Sequence, residues 1–185
     1  MSSTALSGVL AERELAMPSR AELEQRLDTL LEQNGPALAR LAGSYTNTTS
    51  DRDDLLQEIA LALWRALPNF RGECSERTFL FRIAHNRAVT YLAQSRARRA
   101  AAADPIELHD PRPSPEAELV QQQQGERLAG AVRRLPLLYR QAVSLMLEGL
   151  EYSEIAEVLG ISETNVGVRL NRARQMLRKL LEESR

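Results

Sequence analysis

Apolar residues recur every three or four positions along most of the chain, and no run alternates with period two over a useful length. That spacing is one face of an α-helix. It predicts helices near 21–33, 36–46, 51–67 and 76–99, followed by a second set near 116–132, 136–147, 153–159 and 163–182. Between the sets lies DPIELHDPRPSPE, Asp104 to Glu116, which holds four of the chain's eight prolines and cannot continue a helix. The expected architecture is therefore all-α: two small helical domains, 21–100 and 117–185, joined by a flexible Pro-rich linker at 101–116. Residues 1–20 are polar and unpatterned and read as an N-terminal extension.

The last two predicted helices carry the most specific signal. EYSEIAEVLGISETNVGVRLNRARQMLR, Glu151 to Arg178, reads as two short helices around a turn at Gly160, with Ile155, Ala156 and Leu159 inward and Ser162 capping the second helix. At 100° per residue Val166, Leu170, Ala173, Leu177 and Leu181 form its buried stripe. The opposite side holds Thr164, Val168, Asn171, Arg172, Gln175 and Lys179. Arg can bond guanine bidentately, Asn or Gln can bond adenine, and Val can pack on a thymine methyl, so this face has the chemistry of major-groove readout. Arg169, Arg174 and Arg178 flank it and suit phosphates. The plainer alternative, a solvated basic helix closing a bundle, is outweighed by the agreement of turn, cap and charge.

Two helices of the first set have opposite characters. From Asp51, Leu56, Ile59, Ala60, Leu63 and Leu67 make the expected core stripe, while Asp54, Gln57, Glu58 and Leu61 point away, beside Asp53. Asp54 and Glu58 are like charges one turn apart, which costs an isolated helix a few tenths of a kcal/mol, roughly. They read as first-turn acids on a solvated face, the simpler view, or as an acidic docking patch with an exposed Leu at its centre. From Arg77 to Ala103 there is no acid, and Leu80, Ala84, Ala88 and Tyr91 share a core side. Phe79, Arg82, Asn86 and Thr90 align elsewhere, a combination able to stack on, neutralise and hydrogen-bond an unpaired base. Packing of Phe79 on a neighbouring helix is an equal reading.

Composition narrows the classes. At 43% hydrophobic, 185 residues can hold real cores, and no run suits membrane insertion or a signal peptide, so a cytoplasmic protein is expected. A net charge of −1 hides the separation of acids around residues 51–58 from the acid-free stretch after Glu76. The single Cys74, with His85 near it, offers neither a disulfide nor a metal site, and no arrangement of nucleophile and base suggests an enzyme or a cofactor.

DRDDLLQEIALALWRALPNFRGECSERTFLFRIAHNRAVTYL resembles region 2 of extracytoplasmic-function (ECF) sigma factors, the smallest members of the sigma-70 family. LPLLYRQAVSLMLEGLEYSEIAEVLGISETNVGVRLNRARQML resembles their region 4. The resemblance covers almost everything from Leu23 to Leu181 except the linker. It implies that Asp53, Asp54, Gln57, Glu58 and Leu61 dock on core RNA polymerase. It further implies that Phe79, Phe81, Arg82, Asn86, Arg87 and Thr90 bind the melted −10 promoter element, with Asn86 capturing a flipped base. By the same resemblance Thr164, Val168, Arg169, Asn171, Arg172, Arg174 and Gln175 read the −35 element as duplex, and an anti-sigma factor is a further partner the family admits.

Several positions depart from the family's pattern. Gly167 and Val168 stand where a basic residue and a Ser are common, and Asn171 replaces a residue that is often aromatic. The −35 preference is expected to differ accordingly. Glu76 occupies a commonly apolar site, and Glu151 replaces a usual Ser cap, a change expected to cost about 1 kcal/mol. The alternative to a sigma factor is a stand-alone helix-turn-helix regulator whose N-terminal domain senses a ligand or dimerises.

Overall fold

The computed structural model describes residues 19–102 and 118–182, with side chains over 19–98 and 125–182. Among these residues there are seven α-helices and no strand: α1 Arg20–Gly43, α2 Thr49–Ala66, α3 Glu76–Ala102, α4 Glu118–Arg134, α5 Leu137–Leu147, α6 Tyr152–Leu159 and α7 Glu163–Glu182. A 3-10 turn, Leu67–Asn69, follows α2. Of the expected linker, Ala101 and Ala102 still belong to α3 and the rest lies outside the described residues, as does the N-terminal extension before Ser19.

Helix α1 corrects the expectation of two helices separated at Gly35–Pro36. A proline inside a helix removes one backbone hydrogen bond and costs about 3 kcal/mol, yet the buried stripe Leu30, Asn34, Leu38, Leu41 runs through the break at helical steps. Pro36 itself is exposed, so packing on either side of it overrides the local preference. Asn34 is tolerated in that stripe because its Nδ2 donates to Leu30 O at 2.9 Å. Ser19 and Glu22 close the start as a capping box.

Helix α2 begins on Thr48, whose Oγ1 accepts from Asp51 N at 3.0 Å. Its core ladder is Leu55, Ile59, Leu63 and then Leu67, strict i+4 steps, each essentially without solvent exposure. Leu56, expected in that stripe, is half-buried; Leu55 takes the place because α2 faces both α1 and α3, which turns the buried sector by one residue. Helix α3 buries Leu80, Ala84, Ala88 and Tyr91 against this layer, as its spacing predicts.

In the C-terminal half α7 packs against α4, α5 and α6. Gly160 closes α6 at φ 63° and ψ 40°, a left-handed conformation that side chains avoid. Asn165 N then donates to Ser162 Oγ at 3.3 Å, so the expected cap is present. Val166, Leu170 and Ala173 are buried on α7. On α6 Ile155 and Ala156 are buried, but Val158 fills the third place expected for Leu159, which is half-buried. The start of α6 is capped despite the absence of Ser: Glu151 N donates to Glu154 Oε2 at 2.9 Å.

Candidate nucleic-acid and protein-docking faces

Three faces carry the predicted functional residues, and the structure treats them differently. On α2, Asp53, Asp54 and Gln57 are exposed and Leu61 is 55% exposed. An open groove of about 500 Å³ runs between this face and α3, where Tyr91, Gln94, Ser95 and Arg98 form the opposite wall. Tyr91 bridges the walls by donating to Asp51 Oδ1 at 2.8 Å. Burial, then that hydrogen bond, pushes its phenol up to about 12. Glu58 is half-buried and accepts from Arg87 Nε at 3.0 Å. Asp54, Gln57 and Leu61 thus stay available to a partner, whereas Glu58 and Arg87 engage each other.

On α3 only Asn86 and Thr90 stand fully exposed among the residues predicted to take single-stranded DNA. Phe79, expected on the outer stripe, is buried and stacks on Phe70 at 4.5 Å between ring centres. Phe81 is 0% exposed, with the Arg77 guanidinium over its ring at 5.1 Å. These two rings are corrected from surface readers to packed side chains in this arrangement. Helix α3 is also covered on a second side, since α6 lies against it as well as α1 and α2. Arg82 is half-buried between the Phe79 ring at 5.7 Å and Glu157 Oε1 of α6 at 3.3 Å.

On α7 the predicted reading face is open. Thr164, Val168, Asn171, Arg172, Arg174 and Gln175 are exposed, Val168 at 51%. Arg169 is half-buried and oriented by Asn165, whose Oδ1 accepts from its Nε at 3.1 Å. No ion pair engages Arg172 or Arg174 among the described residues. A row of amide, guanidinium and methyl groups that meets no acid is what groove recognition requires.

A polar seam joins the halves, and sequence reasoning missed it. Glu148, 3% exposed at its side chain, accepts three hydrogen bonds from Arg40 of α1 at 3.1, 3.2 and 2.6 Å, and its carbonyl accepts from Arg77. That carboxylate raises the Arg40 guanidinium above its ordinary range. Thr78 Oγ1 donates to Glu154 Oε1 at 2.9 Å, so one carboxylate both caps α6 and holds α3. Ser144 Oγ donates to Ser44 Oγ at 3.0 Å. Buried Arg140 donates to Ser44 O at 3.4 Å, to Leu135 O at 3.0 Å and to Arg133 O, and burial lowers its guanidinium. A lone Arg inside the apolar run Leu137–Leu147 was the available signal. Glu76, which departs from the family pattern, pairs with Arg26.

The residues weighed for metal chemistry have other occupations. His85 is buried, with Tyr45 Oη 3.3 Å from its Nδ1, and burial lowers its imidazole to about 4. Burial pushes the Cys74 thiol up. No group of three or more His, Cys, Asp and Glu is placed to hold a metal among the described residues, and none of the helices there is long and apolar enough to cross a membrane.

Two helical units in this order, the second ending in a helix-turn-helix, are matched by two family models: Sigma-70 region 2 over residues 30–98 and Sigma-70 region 4 over residues 125–177. The class is thus that of the sigma-70 proteins. The chain is 34% identical over 160 residues to the RNA polymerase sigma factor NccH of Alcaligenes xylosoxydans, covering 84% of this chain and 86% of that one. It is 31% identical over 150 residues to the ECF RNA polymerase sigma-E factor of Escherichia coli, covering 76% and 78%. Among solved structures it is similar to CnrH in complex with the cytosolic domain of CnrY, with TM-score 0.66, 29% identity and coverage of 88% and 91%. The fold is also that of RpoE of Bartonella quintana in complex with the anti-sigma factor NepR, with TM-score 0.66 and 24% identity over 88% and 98%. The chain belongs to the sigma-70 family as an ECF-type RNA polymerase sigma factor.

Proposed function

We propose that the chain divides promoter recognition between its two halves and does so by binding, without catalysis, in the cytoplasm. Asp53, Asp54, Gln57, Glu58 and Leu61 dock the N-terminal half on core polymerase. A stripe of acids around an exposed Leu suits a basic partner with an apolar anchor, and Glu58 would exchange Arg87 for that partner's cation. The α7 face reads the −35 element as duplex through Thr164, Val168, Arg169, Asn171, Arg172, Arg174 and Gln175. On α3, Asn86 and Thr90 meet the melted −10 strand, with Arg82 and Arg87 available to phosphates once they leave their acids. Phe79 and Phe81 stay packed, Phe79 on Phe70 and Phe81 under Arg77, and support the helix that presents these side chains.

The observation that carries this reading is the open, unpaired face of α7 coexisting with the acidic α2 face in one chain. A stand-alone regulator would use the first and has no need of the second. Of the two similar structures, one holds CnrH with the cytosolic domain of CnrY and the other RpoE with the anti-sigma factor NepR, and an anti-sigma factor is proposed as a further partner here. Reversing Asp54 and Glu58 together to Lys tests the assignment. Core polymerase affinity is expected to fall about a hundredfold or more, as desolvated charge pairs become repulsive, while helicity stays unchanged. Undiminished core binding by the double variant would remove the docking face from the mechanism.

A further inference from the structure

We infer that Asn165 is a positioning residue for duplex recognition: its side-chain carbonyl holds the Arg169 guanidinium in place before DNA arrives, so that Arg169 meets a backbone phosphate already ordered. The inference rests on the proposed reading of the −35 element by α7 and adds a residue to it. Asn165 Oδ1 accepts from Arg169 Nε at 3.1 Å. The two residues are one helical turn apart, the spacing at which side chains on a helix surface meet. Asn165 is itself tied to the start of the helix, since its backbone N–H donates to Ser162 Oγ at 3.3 Å. Cap, amide and guanidinium thus form a connected series of hydrogen bonds along the first two turns of α7.

The bond occupies only one of the five N–H donors of a guanidinium. The donors on Nη1 and Nη2 have no other partner among the described residues, and they are the fork that fits the oxygens of a phosphate. Because the holder is an amide, the charge on Arg169 is not neutralised. Arg82 and Arg87 of α3 are held by Glu157 and Glu58 instead, and a carboxylate in that place cancels the cation and repels a phosphate. The amide also has a fixed sense: a guanidinium cannot accept, so the oxygen faces it and Nδ2 turns away.

Position along the helix gives the pair its role. A recognition helix enters the groove with its N-terminal residues against the bases, and Arg169 is the first cation of α7, since Glu163 to Val168 contain none. At 100° per residue Asn165 and Arg169 lie on one flank of the face centred on Val168, where the sugar–phosphate wall of the groove would stand. Arg172 and Arg174 are exposed, and Arg169 is half-buried. Ordering one long, free side chain on binding lowers affinity by a factor of about two to ten. Arg169 meets that cost during folding, and its fixed fork sets the register in which the freer side chains then reach the bases.

The test uses the full chain and a short fluorescein-labelled duplex of mixed sequence, because a phosphate contact does not depend on the bases. Anisotropy is followed over a series of salt concentrations. Asn165→Ala is expected to weaken binding about fivefold and to leave the salt dependence native, since Arg169 still displaces the same counterions. Ala forms helix better than Asn, so a weakened helix would not account for the loss. Arg169→Ala should weaken binding further and reduce the salt slope by about 1. In the Arg169→Ala background, Asn165→Ala should have no additional effect. A loss that persists there would make Asn165 a direct DNA contact through Nδ2 and overturn the positioning role, as would native affinity for Asn165→Ala alone. In the free chain the Arg169 Nε–H should exchange with solvent more slowly than that of Arg172, and Asn165→Ala should erase the difference; equal exchange in the native chain would also overturn it. The reading by α7 fails separately: if Arg169→Ala and Arg174→Ala each bind duplex like the native chain, the −35 assignment falls and takes the positioning role with it, whereas losses for those two beside native affinity for Asn165→Ala strike the positioning role alone.

Discussion

Helices α3 and α7 look alike as sequence and differ as surfaces. Each begins after a serine, carries arginines with no acid through its middle, and turns an apolar stripe inward. Yet α7 presents its reading face to solvent, whereas α3 is packed on two sides and two of its arginines, Arg82 and Arg87, are engaged by acids of α6 and α2. The difference lies in position within the fold. A helix at the edge of a four-helix unit buries one stripe and leaves the rest; a helix between two units is buried twice. Basic composition therefore identifies a helix that suits nucleic acid, and tertiary contacts decide whether it can be reached.

Acid is the strongest way to break the comparison, because α3 buries a titratable ring and α7 buries none. The folded His85 sits at about 4 against an ordinary 6.5. Its contribution is fully present above pH 6.5 and is lost as pH falls from 6.5 towards 4, since in that window the unfolded chain binds the proton and the folded chain does not. The whole shift corresponds to about 3 kcal/mol. Tyr45, beside His85 in the loop after α1, has its own phenol pushed up by burial, so it stays a neutral hydrogen-bonding partner through this range. Urea unfolding at pH 7 and pH 5 should show the loss for the native chain and a flatter dependence for His85→Asn. Identical pH slopes for the two would show that the buried imidazole does not govern acid sensitivity.

A smaller effect sharpens the comparison from the other side. Arg172 on α7 is exposed, so Arg172→Ala should weaken duplex binding by the free chain by about 2 kcal/mol if the side chain bonds a base bidentately, and relax choice at one −35 position. Arg82→Ala on α3 should leave that duplex affinity alone. Gel-shift titrations over single-base variants of the site decide the matter: a uniform loss across all variants would reassign Arg172 to a phosphate.

What was legible in the sequence was local. Gly160, Ser162 and the stripe Val166, Leu170, Ala173 lie within fourteen residues, and their conformations follow from turn chemistry and helical spacing with little help from the rest of the chain. The core side of α3, from Leu80 to Tyr91, was legible for the same reason. What failed depended on distant partners. Pro36 read as a break because the stripe crossing it is stabilised by α2 and α3, and Leu56 was preferred to Leu55 because the angle between α1 and α3 is no property of α2 alone. Phe79 read as exposed because its cover, Phe70, comes from the loop before α3. Glu154 and Glu157, 76 and 75 residues from the side chains they hold, carry no local mark of that role.

The two serine caps give the finest discrimination between the helices. Ser162 Oγ at the start of α7 accepts from Asn165 N, at 3.3 Å, and the residue is exposed, so Ser162→Ala should cost about 1 kcal/mol or slightly less, with strand binding unaffected. Ser75 at the start of α3 accepts from Thr78 N at 2.9 Å and lies 2.8 Å from Thr78 Oγ1, the same hydroxyl that donates to Glu154. Ser75→Ala removes a cap of similar worth, about 1 kcal/mol, and frees the Thr78 hydroxyl to rotate, so the start of α6 should feel a substitution made in the other half of the chain. Amide hydrogen exchange separates the cases. Ser162→Ala should speed exchange only in the first turn of α7, whereas Ser75→Ala should speed it in the first turns of both α3 and α6; exchange confined to α3 would mean that the two halves do not share the Thr78–Glu154 bond in solution.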